Sequence, residues 1–580
     1  MNLKPSQEKV WFKYYPVEAE NAEELVPKCK VYSLVKEISE ENLDAPALQY
    51  YGAKISRRKL LESIDEAANS FAALGVKQGD LVSFLTVAFP ETVAAIYGLN
   101  KIGATANMID PRMDIESIRR MIKNSGSKIL VAVDIAFPKV KPIMEDIAQD
   151  YIIVQSAARS LPLIKKIAMK IAVKTDVPFS DSVVNWDKFL SFGKGTVAEE
   201  APYVGDAVVA ITHTGGTTGF PKGVMLTNDS MNAVATNFKY AGLYYHVADR
   251  FLGIIPVFTS YGMVCGLHMP LCMHCELILI PKFDPSKFGK LVKDFRPNHL
   301  ISTPAFIEML MDSKEVKGMD LSFLITLGSG GDTMNEGLEA KLNRFMEEHN
   351  IIYPLAQGFG MSEVSAAASF SVNDKFKSKS VGIPSVVTTI GIFDPETGEE
   401  LGYNEIGEIC ISGPTLMKGY YNNEEETANV MRTHDDGKVW VHSGDYGYLD
   451  NDGFLFIKGR LKRMITRFDG HKVFPVNIES MVHEHESVHN VCVIGVDDRG
   501  GHSQGQYPLV IIEVDEGADK DKVCKNVFAE CMARLEERGK PVAVLAIDKI
   551  PLTGAGKNDY RSLEKEYSKY DYTMWETASV

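Results

Sequence analysis

The sequence predicts an α/β protein with two domains. The larger N-terminal domain should contain doubly wound, mostly parallel sheets plus a distorted β-barrel, followed by a small, mobile α+β C-terminal domain. From residue 56 to residue 355, short apolar runs alternate with segments of helical periodicity, which is typical of parallel strands joined by helical crossovers. From Thr388 the runs become short and strand-like, and a compact α+β tail follows the basic stretch 460–463. We therefore expect domains over residues 1–461 and 462–580.

The predicted elements follow this alternation along the chain. The region 155–200 has weak patterning apart from a lysine-containing helix at 161–174. The other helices are predicted over 56–75, 91–102, 114–125, from 228, and over 286–295, 304–311, 335–349 and 519–537. Strands are predicted over 80–87, 104–109, 128–133, 207–212, 276–281, 299–302, 323–327, 351–355, 390–393, 407–412, 439–442, 453–458, 491–496 and 509–514.

Length, charge and cysteine content limit the class of protein. A chain of 580 residues is too long for one ordinary core. The net charge of -15 argues against a general nucleic-acid-binding protein, because neutralising phosphates needs clustered Lys and Arg. We find no secretory signal and no long apolar run, so we expect a cytoplasmic protein. The eight dispersed cysteines suit reduced thiols, and we interpret Cys272 and Cys275 near His268 as buried thiols rather than a zinc site.

A glycine-rich stretch, 214–223 (TGGTTGFPKG), follows one predicted strand. Its glycines let backbone N–H groups converge on an anion together with the hydroxyls of Thr214, Thr217 and Thr218. Lys222 adds a positive charge, but it is followed by glycine, whereas the usual P-loop has Gly-Lys-Ser/Thr at the start of a helix. The stretch therefore predicts a phosphate-binding loop of another nucleotide chemistry, with a flexible Gly/Thr loop as the alternative.

Polar or glycine-rich turns follow four of the predicted strands. They are 214–223, 302–304, 328–331 and 359–363. Ligands of open parallel sheets bind outside the carboxyl ends of the strands. We therefore expect the four turns to face one crevice.

Five motifs, in this order, resemble those of the adenylate-forming superfamily: acyl-CoA synthetases, luciferases and the adenylation domains of peptide synthetases. The resemblance covers nearly the whole chain and is strongest to AMP-forming fatty acid–CoA ligases. Residues 359–363 (FGMSE) are similar to Y-G-x-[ST]-E, with phenylalanine in place of the commoner tyrosine. The other motifs are the loop 214–223, the stretch 407–422 ending in KGYYN, the ribose motif within 443–460, and the terminal loop 551–557 (PLTGAGK).

The resemblance implies ATP, Mg²⁺ and CoA as ligands, and a role for each matching residue. Lys557, Glu363 and Lys222 would be catalytic: Lys557 would bridge carboxylate and α-phosphate, and Glu363 would hold Mg²⁺. Lys462 matches the hinge about which the small domain rotates to admit the thiol. Nucleotide binding is implied for Thr214, Gly215, Gly216, Thr217, Thr218, Gly219, Lys222, Gly330, Gly331, Phe359 (adenine), Gly360, Ser362, Asp445 (ribose) and Arg460, which supports Asp445. Lys458 and Arg463 are interpreted as surface charges.

The substrate is predicted from the segment around Thr259. Amino-acid-activating relatives carry an aspartate there, so an uncharged residue favours a neutral, apolar carboxylic acid. Phe258, Thr259 and Tyr261 are candidate acyl-pocket residues, with ordinary core packing as the alternative. The helix 161–174 is interpreted as core-facing with a solvated lysine face. Contact with a membrane or an amphiphilic substrate is its alternative.

The predicted function is an AMP-forming ligase that joins a medium- or long-chain fatty acid to CoA. Three alternatives stay open: an aryl acid–CoA ligase, an acyl-AMP ligase that loads a phosphopantetheinyl carrier protein, and a nucleotide-binding regulator without turnover. The regulator would have no need of Lys557.

Overall fold

The computed structural model describes residues 4–172, 176–214, 221–331, 334, 336–373, 375–469, 471–498, 505–515, 517–551 and 558–572. Within them the strands are β1 Pro46–Tyr50, β2 Ala53–Ser56, β3 Leu81–Leu85, β4 Thr105–Ile109, β5 Ile129–Val133, β6 Tyr151–Gln155, β7 Val183–Asn185, β8 Val208–His213, β9 Gly223–Thr227, β10 Arg250–Gly253, β11 Glu276–Leu279, β12 His299–Ser302, β13 Thr326–Ser329, β14 Ala356–Phe359, β15 Ser369–Phe370, β16 Ile383–Pro384, β17 Thr389–Phe393, β18 Gly407–Ser412, β19 Met431–Thr433, β20 Val439–Leu449, β21 Leu455–Arg460, β22 Ile465–Thr466, β23 Lys472–Val473, β24 Val488–Asp497, β25 Gln506–Val514 and β26 Ala543–Ile547.

The α-helices of the same residues are α1 Pro5–Glu8, α2 Val31–Glu40, α3 Arg57–Ala73, α4 Pro90–Lys101, α5 Ile115–Ser125, α6 Phe137–Val140, α7 Met144–Ile147, α8 Leu163–Ala172, α9 Trp186–Phe192, α10 Asn228–Tyr240, α11 Met269–Cys272, α12 Phe288–Phe295, α13 Pro304–Met311, α14 Glu336–Glu348, α15 Glu424–Val430, α16 Pro475–Val482, α17 Lys520–Arg534 and α18 Tyr560–Tyr567. A π-helix spans Tyr261–His268. No described helix is both long enough and apolar enough to cross a membrane.

Two mixed sheets form the body of the N-terminal part, as the alternation of elements predicts. A seven-stranded sheet has the order β7-β6-β5-β3-β4-β8-β9, and a nine-stranded sheet has the order β16-β15-β14-β13-β12-β10-β11-β1-β2. The inner pairs of both sheets are parallel. Every residue of β4 and β5 is buried, because helices cover both faces of a parallel sheet.

Local signals fix the ends of several helices. The Ser56 hydroxyl accepts from the Lys59 amide at the start of α3, and the Asp114 carboxylate accepts from the Ser117 amide at the start of α5. Such N-caps satisfy backbone donors that have no partner inside the helix. Both helices therefore begin within a residue of the predicted position.

The later part of the chain is antiparallel, as expected after Thr388. Strands β17, β18, β20, β19 and β21 form a five-stranded sheet, which takes the place of the predicted distorted barrel. The smaller C-terminal part contains the three-stranded sheet β24-β25-β26. Val527 of α17 is buried in one core cluster with strand residues of this sheet, and Leu563 of α18 lies in another.

One predicted strand is wrong, and several strands were missed. Residues 351–355 contain no strand. The Ile351 amide instead bonds the Met346 carbonyl, which closes the end of α14, and the apolar side chains of Ile351 and Leu355 are buried in the core from a loop. Strand β14 follows immediately. Among the missed strands, β9 is the one that separates the glycine-rich stretch from α10.

The predicted orientation of the helix at 161–174 is also wrong for the part that the structure describes. Leu163, Ile164 and Ile167 of α8 are exposed rather than buried in the core.

Candidate active site

The glycine-rich stretch connects two antiparallel strands. Strand β8 ends at His213, and the Thr214 amide donates to the Lys222 carbonyl at 3.0 Å, so the connection is closed at its base. Residues 215–220, which include the predicted phosphate ligands Gly215, Gly216, Thr217, Thr218 and Gly219, lie outside the described residues. Their roles stay predictions, whereas Thr214 and Lys222 are placed at the two ends of the loop.

Segment 418–422 (KGYYN) runs beside β9, next to the base of the glycine-rich loop. The Met225 amide donates to the Gly419 carbonyl at 3.1 Å, and the Tyr421 amide donates to the Gly223 carbonyl at 2.7 Å. The alignment brings the Tyr420 ring close to the Lys222 ammonium.

Lys222 is held by two contacts. Its Nζ lies 4.8 Å from the centre of the Tyr420 ring, a cation–π distance. The same ammonium forms an ion pair with Glu426 in the first turn of α15. The positive charge is therefore fixed at the base of the loop, and a phosphate group would have to share it with a carboxylate.

Glu363 is joined to the same tyrosine. It lies in a short 3₁₀ helix, Ser362–Val364, directly after β14 and is buried. The Tyr420 hydroxyl donates to Glu363 Oε1 at 2.5 Å, and the Met417 amide donates to the Glu363 carbonyl at 2.9 Å. Burial, and next the negative charge of Glu363, raise the pKa of Tyr420. The tyrosine therefore stays a protonated donor.

The donor set at Glu363 suits the magnesium ion implied by the sequence. Oxygen ligands, carboxylates above all, are what Mg²⁺ binds. Glu363 is a buried carboxylate whose identified partner, Tyr420, is neutral. Its negative charge is not balanced by that contact, and a divalent cation would balance it.

The turns after β12, β13 and β14 meet at one edge of the nine-stranded sheet. The Gly330 amide donates to the Ser302 carbonyl at 3.1 Å. A Cβ atom on Gly330 would lie 3.4 Å from the Tyr261 hydroxyl and 3.5 Å from the Gly358 carbonyl oxygen. Gly331 has φ +81°, a left-handed conformation that favours glycine. Three of the four predicted turns therefore converge, and the fourth, 214–223, belongs to the other sheet.

The close approach of two backbone segments requires glycine at position 360 of the FGMSE turn. A Cβ atom on Gly360 would lie 1.6 Å from the Ala366 carbonyl oxygen, so only glycine fits there. The Ala368 amide donates to the Phe359 carbonyl, and the Ser365 amide donates to the Ser362 carbonyl. These contacts hold half-buried Phe359 and Ser362 beside Glu363.

The predicted ribose pair is assembled across two strands. Asp445 on β20 lies opposite Arg460 on β21, with Arg460 Nε 3.0 Å from Asp445 Oδ1. Asp445 is buried, whereas the Arg460 side chain is mostly exposed. The guanidinium thus supports a carboxylate at the surface of the five-stranded sheet, as the motif implies.

A buried glutamate that sequence reasoning missed supports this pair. Glu408 Oε1 accepts from the Gly444 amide at 3.0 Å, and Oε2 lies 2.8 Å from His442 Nδ1. The Asp445 amide in turn donates to the Ser443 hydroxyl at 3.0 Å. The motif 407–422, which begins with the sequence GEI, could have pointed to Glu408, but the resemblance gave that glutamate no role.

The candidate acyl residues have different surroundings. The Thr259 hydroxyl donates to the Pro256 carbonyl at 2.8 Å and accepts from the Gly262 amide at 3.0 Å, so both functions serve the start of the π-helix. Phe258 is buried, and the Arg112 guanidinium lies 5.0 Å from its ring centre. Of the three, Tyr261 lies beside Gly330, in the turn after β13.

The cysteines near the π-helix are buried, as expected. Cys272 Sγ lies 3.6 Å from His268 Nε2, whereas Cys275 Sγ contacts the Met273 carbonyl. Burial raises the pKa of both thiols. Without a metal ion both thiols are therefore protonated.

The remaining predictions concern the C-terminal part. Lys557 lies outside the described residues, and Lys462 lies in the short 3₁₀ helix Leu461–Arg463, so the catalytic and hinge roles stay predictions. Arg463 is not a free surface charge as expected. Its Nη2 lies 2.5 Å from Glu479 Oε1, and its guanidinium lies 3.3 Å from the centre of the Tyr560 ring.

Comparisons with known proteins cover almost the whole chain. The long-chain-fatty-acid–CoA ligase of Bacillus subtilis is 29% identical over 569 residues, which are 96% of this chain and 98% of the relative. The 4-coumarate–CoA ligase 1 of Arabidopsis thaliana is 28% identical over 482 residues, 80% of either chain. Each is a protein to which this chain is similar.

Solved structures agree with the fold. An anthranilate CoA ligase in complex with anthranoyl-AMP has a TM-score of 0.80 at 19% identity, covering 95% of this chain and 99% of the other. ATP-bound MatB from Rhodopseudomonas palustris has a TM-score of 0.77 at 21% identity, covering 93% and 99%. The mixed α/β body with a smaller C-terminal domain is thus the fold of these enzymes.

Family models account for most of the sequence. The model described as AMP-binding enzyme matches residues 35–421, and the model described as AMP-binding enzyme C-terminal domain matches residues 477–557. The predicted boundary at 461/462 lies between the two matches and stays a prediction. The chain belongs to the family of AMP-binding enzymes.

Proposed function

We propose that this protein is an AMP-forming carboxylic acid–CoA ligase whose acid is a medium- or long-chain fatty acid. The observation that carries the proposal is the contact of Tyr420 with both Lys222 and Glu363. It joins a phosphate-binding loop on one sheet to a buried carboxylate on the other. Family membership and the CoA ligases among the relatives support the reaction class.

In the first half-reaction a carboxylate oxygen of the acid forms a bond to the α-phosphorus of ATP, and pyrophosphate leaves. Thr214, Lys222 and the intervening loop would bind the phosphates that depart. Asp445, held by Arg460, would accept hydrogen bonds from the ribose hydroxyls, and Phe359 would stack on adenine. Mg²⁺ held by Glu363 would supply positive charge between phosphate oxygens, since two anions otherwise repel.

In the second half-reaction the CoA sulfur forms a bond to the acyl carbon, and AMP leaves. Lys557 would serve only the first step. Rotation of the C-terminal domain about Lys462 would remove it and admit the thiol.

The substrate assignment depends on the uncharged side chain of Thr259. Its hydroxyl is engaged by Pro256 and Gly262, so it offers no compensation for an ammonium group. Similarity to the Bacillus subtilis ligase over 96% of the chain supports a fatty acid. An aryl acid is the second candidate. Tyr261 beside Gly330 places an aromatic ring next to the turn 328–331, which is predicted to bind the nucleotide, and 4-coumarate–CoA ligases are among the relatives.

We also propose a reducing, cytoplasmic location. All eight cysteines are free thiols, which suits such a compartment.

Pyrophosphate release across fatty, aryl and amino acids tests the substrate proposal. Each acid would be assayed first with CoA and then with a phosphopantetheinyl carrier protein. We expect the highest kcat/KM with a fatty acid and CoA. Preference for a charged amino acid would contradict the role given to Thr259, and turnover only with the carrier protein would replace CoA as acceptor.

The role of Lys557 is tested by separating the half-reactions. Lys557→Ala should abolish acyl-AMP formation while thioester formation from supplied acyl-AMP continues, because the lysine would act only in the first half-reaction. Thioester formation is the internal control for folding. Equal loss of both half-reactions would refute the two-conformation scheme.

A further inference from the structure

Helix α8 has an apolar face that points into solvent. Leu163, Ile164 and Ile167 are 73%, 83% and 53% exposed. Residues three and four positions apart lie on the same side of a helix, so Ile167 is next to both of the others. A surface helix of a globular protein normally turns such a face towards the core.

Two lysines in the first turn of α8 attach the helix to the protein. Lys165 Nζ donates to the Tyr51 carbonyl at 2.8 Å, and Lys166 Nζ donates to the Arg159 carbonyl at 3.1 Å. These bonds are made to neutral carbonyls, so they neutralise neither positive charge. The first turn of the helix is thus attached to the protein, while Leu163, Ile164 and Ile167 point into solvent.

The size of this face argues against a second protein as its partner. The helix has ten residues and is about 15 Å long at about 1.5 Å per residue. Three side chains cannot supply the roughly 1,200 Å² that a specific protein interface buries. A bilayer needs no such complementary area, because the apolar side chains of a single helix can insert into its surface.

The charge of the segment fits an anionic surface. The sequence LIKKIAMKIAVK at 163–174 carries four lysines and no acidic residue, in a chain of net charge -15. Basic residues next to an apolar face are attracted to anionic lipid headgroups. Repulsion from the rest of this acidic protein would oppose contact through most other faces.

We propose that α8 is a docking helix for an anionic lipid bilayer, with Leu163, Ile164 and Ile167 entering the boundary between headgroups and acyl chains. The proposal goes beyond the ligase reaction and does not depend on which acid is activated. If the acid is a fatty acid, the bilayer is also where that amphiphile accumulates.

Co-sedimentation of the full-length protein with vesicles tests this proposal. One set of vesicles contains phosphatidylcholine alone, and the other also contains phosphatidylglycerol. We expect binding to the anionic vesicles about ten-fold or more above binding to the neutral ones, since each lysine near the surface contributes roughly five-fold. Added salt should weaken the binding.

Matched variants distinguish binding through α8 from nonspecific adsorption through any exposed apolar residue. The double substitution Ile164→Ser and Ile167→Ser should lower partitioning about ten-fold or more. The control double substitution Val197→Ser and Ile352→Ser, at residues 91% and 73% exposed, should leave it unchanged. Pyrophosphate release with a water-soluble acid should stay at the wild-type level in both variants, which shows that they fold.

Three results would overturn the proposal: equal vesicle binding by wild-type protein and the α8 variant, equal binding to neutral and anionic vesicles, or a lipid-free dimer that the α8 substitutions dissociate. The last result would assign the face to a second copy of the chain.

Discussion

The substitution Tyr420→Phe tests the central contact of the site. It removes one hydroxyl, which donates to Glu363 Oε1 at 2.5 Å, and keeps the ring that lies against Lys222. A hydrogen bond to a charged group contributes about 1.5–3 kcal/mol. Mg²⁺ bound to Glu363 would compensate part of the loss, so we take the lower end, about 1.5 kcal/mol, which corresponds to a fall of about ten-fold in kcat/KM for ATP.

The assay is ATP–pyrophosphate exchange with the acid held at saturation, measured at several magnesium concentrations. Tyr421→Phe is the matched control, because the neighbouring hydroxyl donates to the neutral Ser125 carbonyl at 3.2 Å. We expect the Tyr420 variant also to need more magnesium, since its Glu363 carboxylate is no longer oriented. Equal kcat/KM values for the two variants would refute the assignment of Tyr420 as the residue that positions Glu363.

Three further predictions follow from single contacts. Asp445→Ala should raise KM for ATP by about ten-fold or more, since it removes a charged ribose acceptor; an unchanged KM would exclude that role. Glu426→Gln should lower KM for ATP, because Lys222 no longer shares its charge with a carboxylate; a raised KM would show that the ion pair instead positions the lysine. Burial lowers the pKa of His268 to about 3. The contribution of its neutral form to stability is therefore fully present above about pH 6.5 and is lost as the pH falls. At about pH 5 the free energy of unfolding should be lower by about 2 kcal/mol. Denaturant midpoints should therefore depend less on pH in His268→Asn than in the wild-type protein between about pH 7 and about pH 5, and equal dependence would contradict this.

Sequence patterns predicted the features that depend on neighbouring residues. Helix α13 lies at its predicted bounds, since Pro304 fixes its first turn. The pair Asp445 and Arg460 was predicted from a motif and is formed, because two strands of one hairpin bring the residues opposite each other. The strand expected at 351–355 is absent, because its apolar residues are buried in a loop that follows the end of α14. A short apolar run alone does not distinguish a buried strand from such a loop.

Contacts between distant segments could not be predicted in this way. Sequence spacing gave no reason to join Lys222 to Glu426, which are 204 positions apart. The expectation that four turns face one crevice also gave no indication that loop 214–223 belongs to a different sheet from the other three turns. The contact depends on how segment 418–422 aligns with β9, and that alignment is a tertiary property.

The charged side chains around Tyr420 indicate which form of the nucleotide the proposed site would accept. Glu363 and Glu426 contribute two negative charges and Lys222 one positive charge, which leaves a net charge of -1 on these three side chains. A free triphosphate would meet two carboxylates with only one ammonium to compensate them. In the proposed site, the magnesium complex of ATP would bring its own positive charge to Glu363 and would leave Lys222 for the phosphate oxygens. We therefore expect these residues to favour the magnesium complex over the free nucleotide.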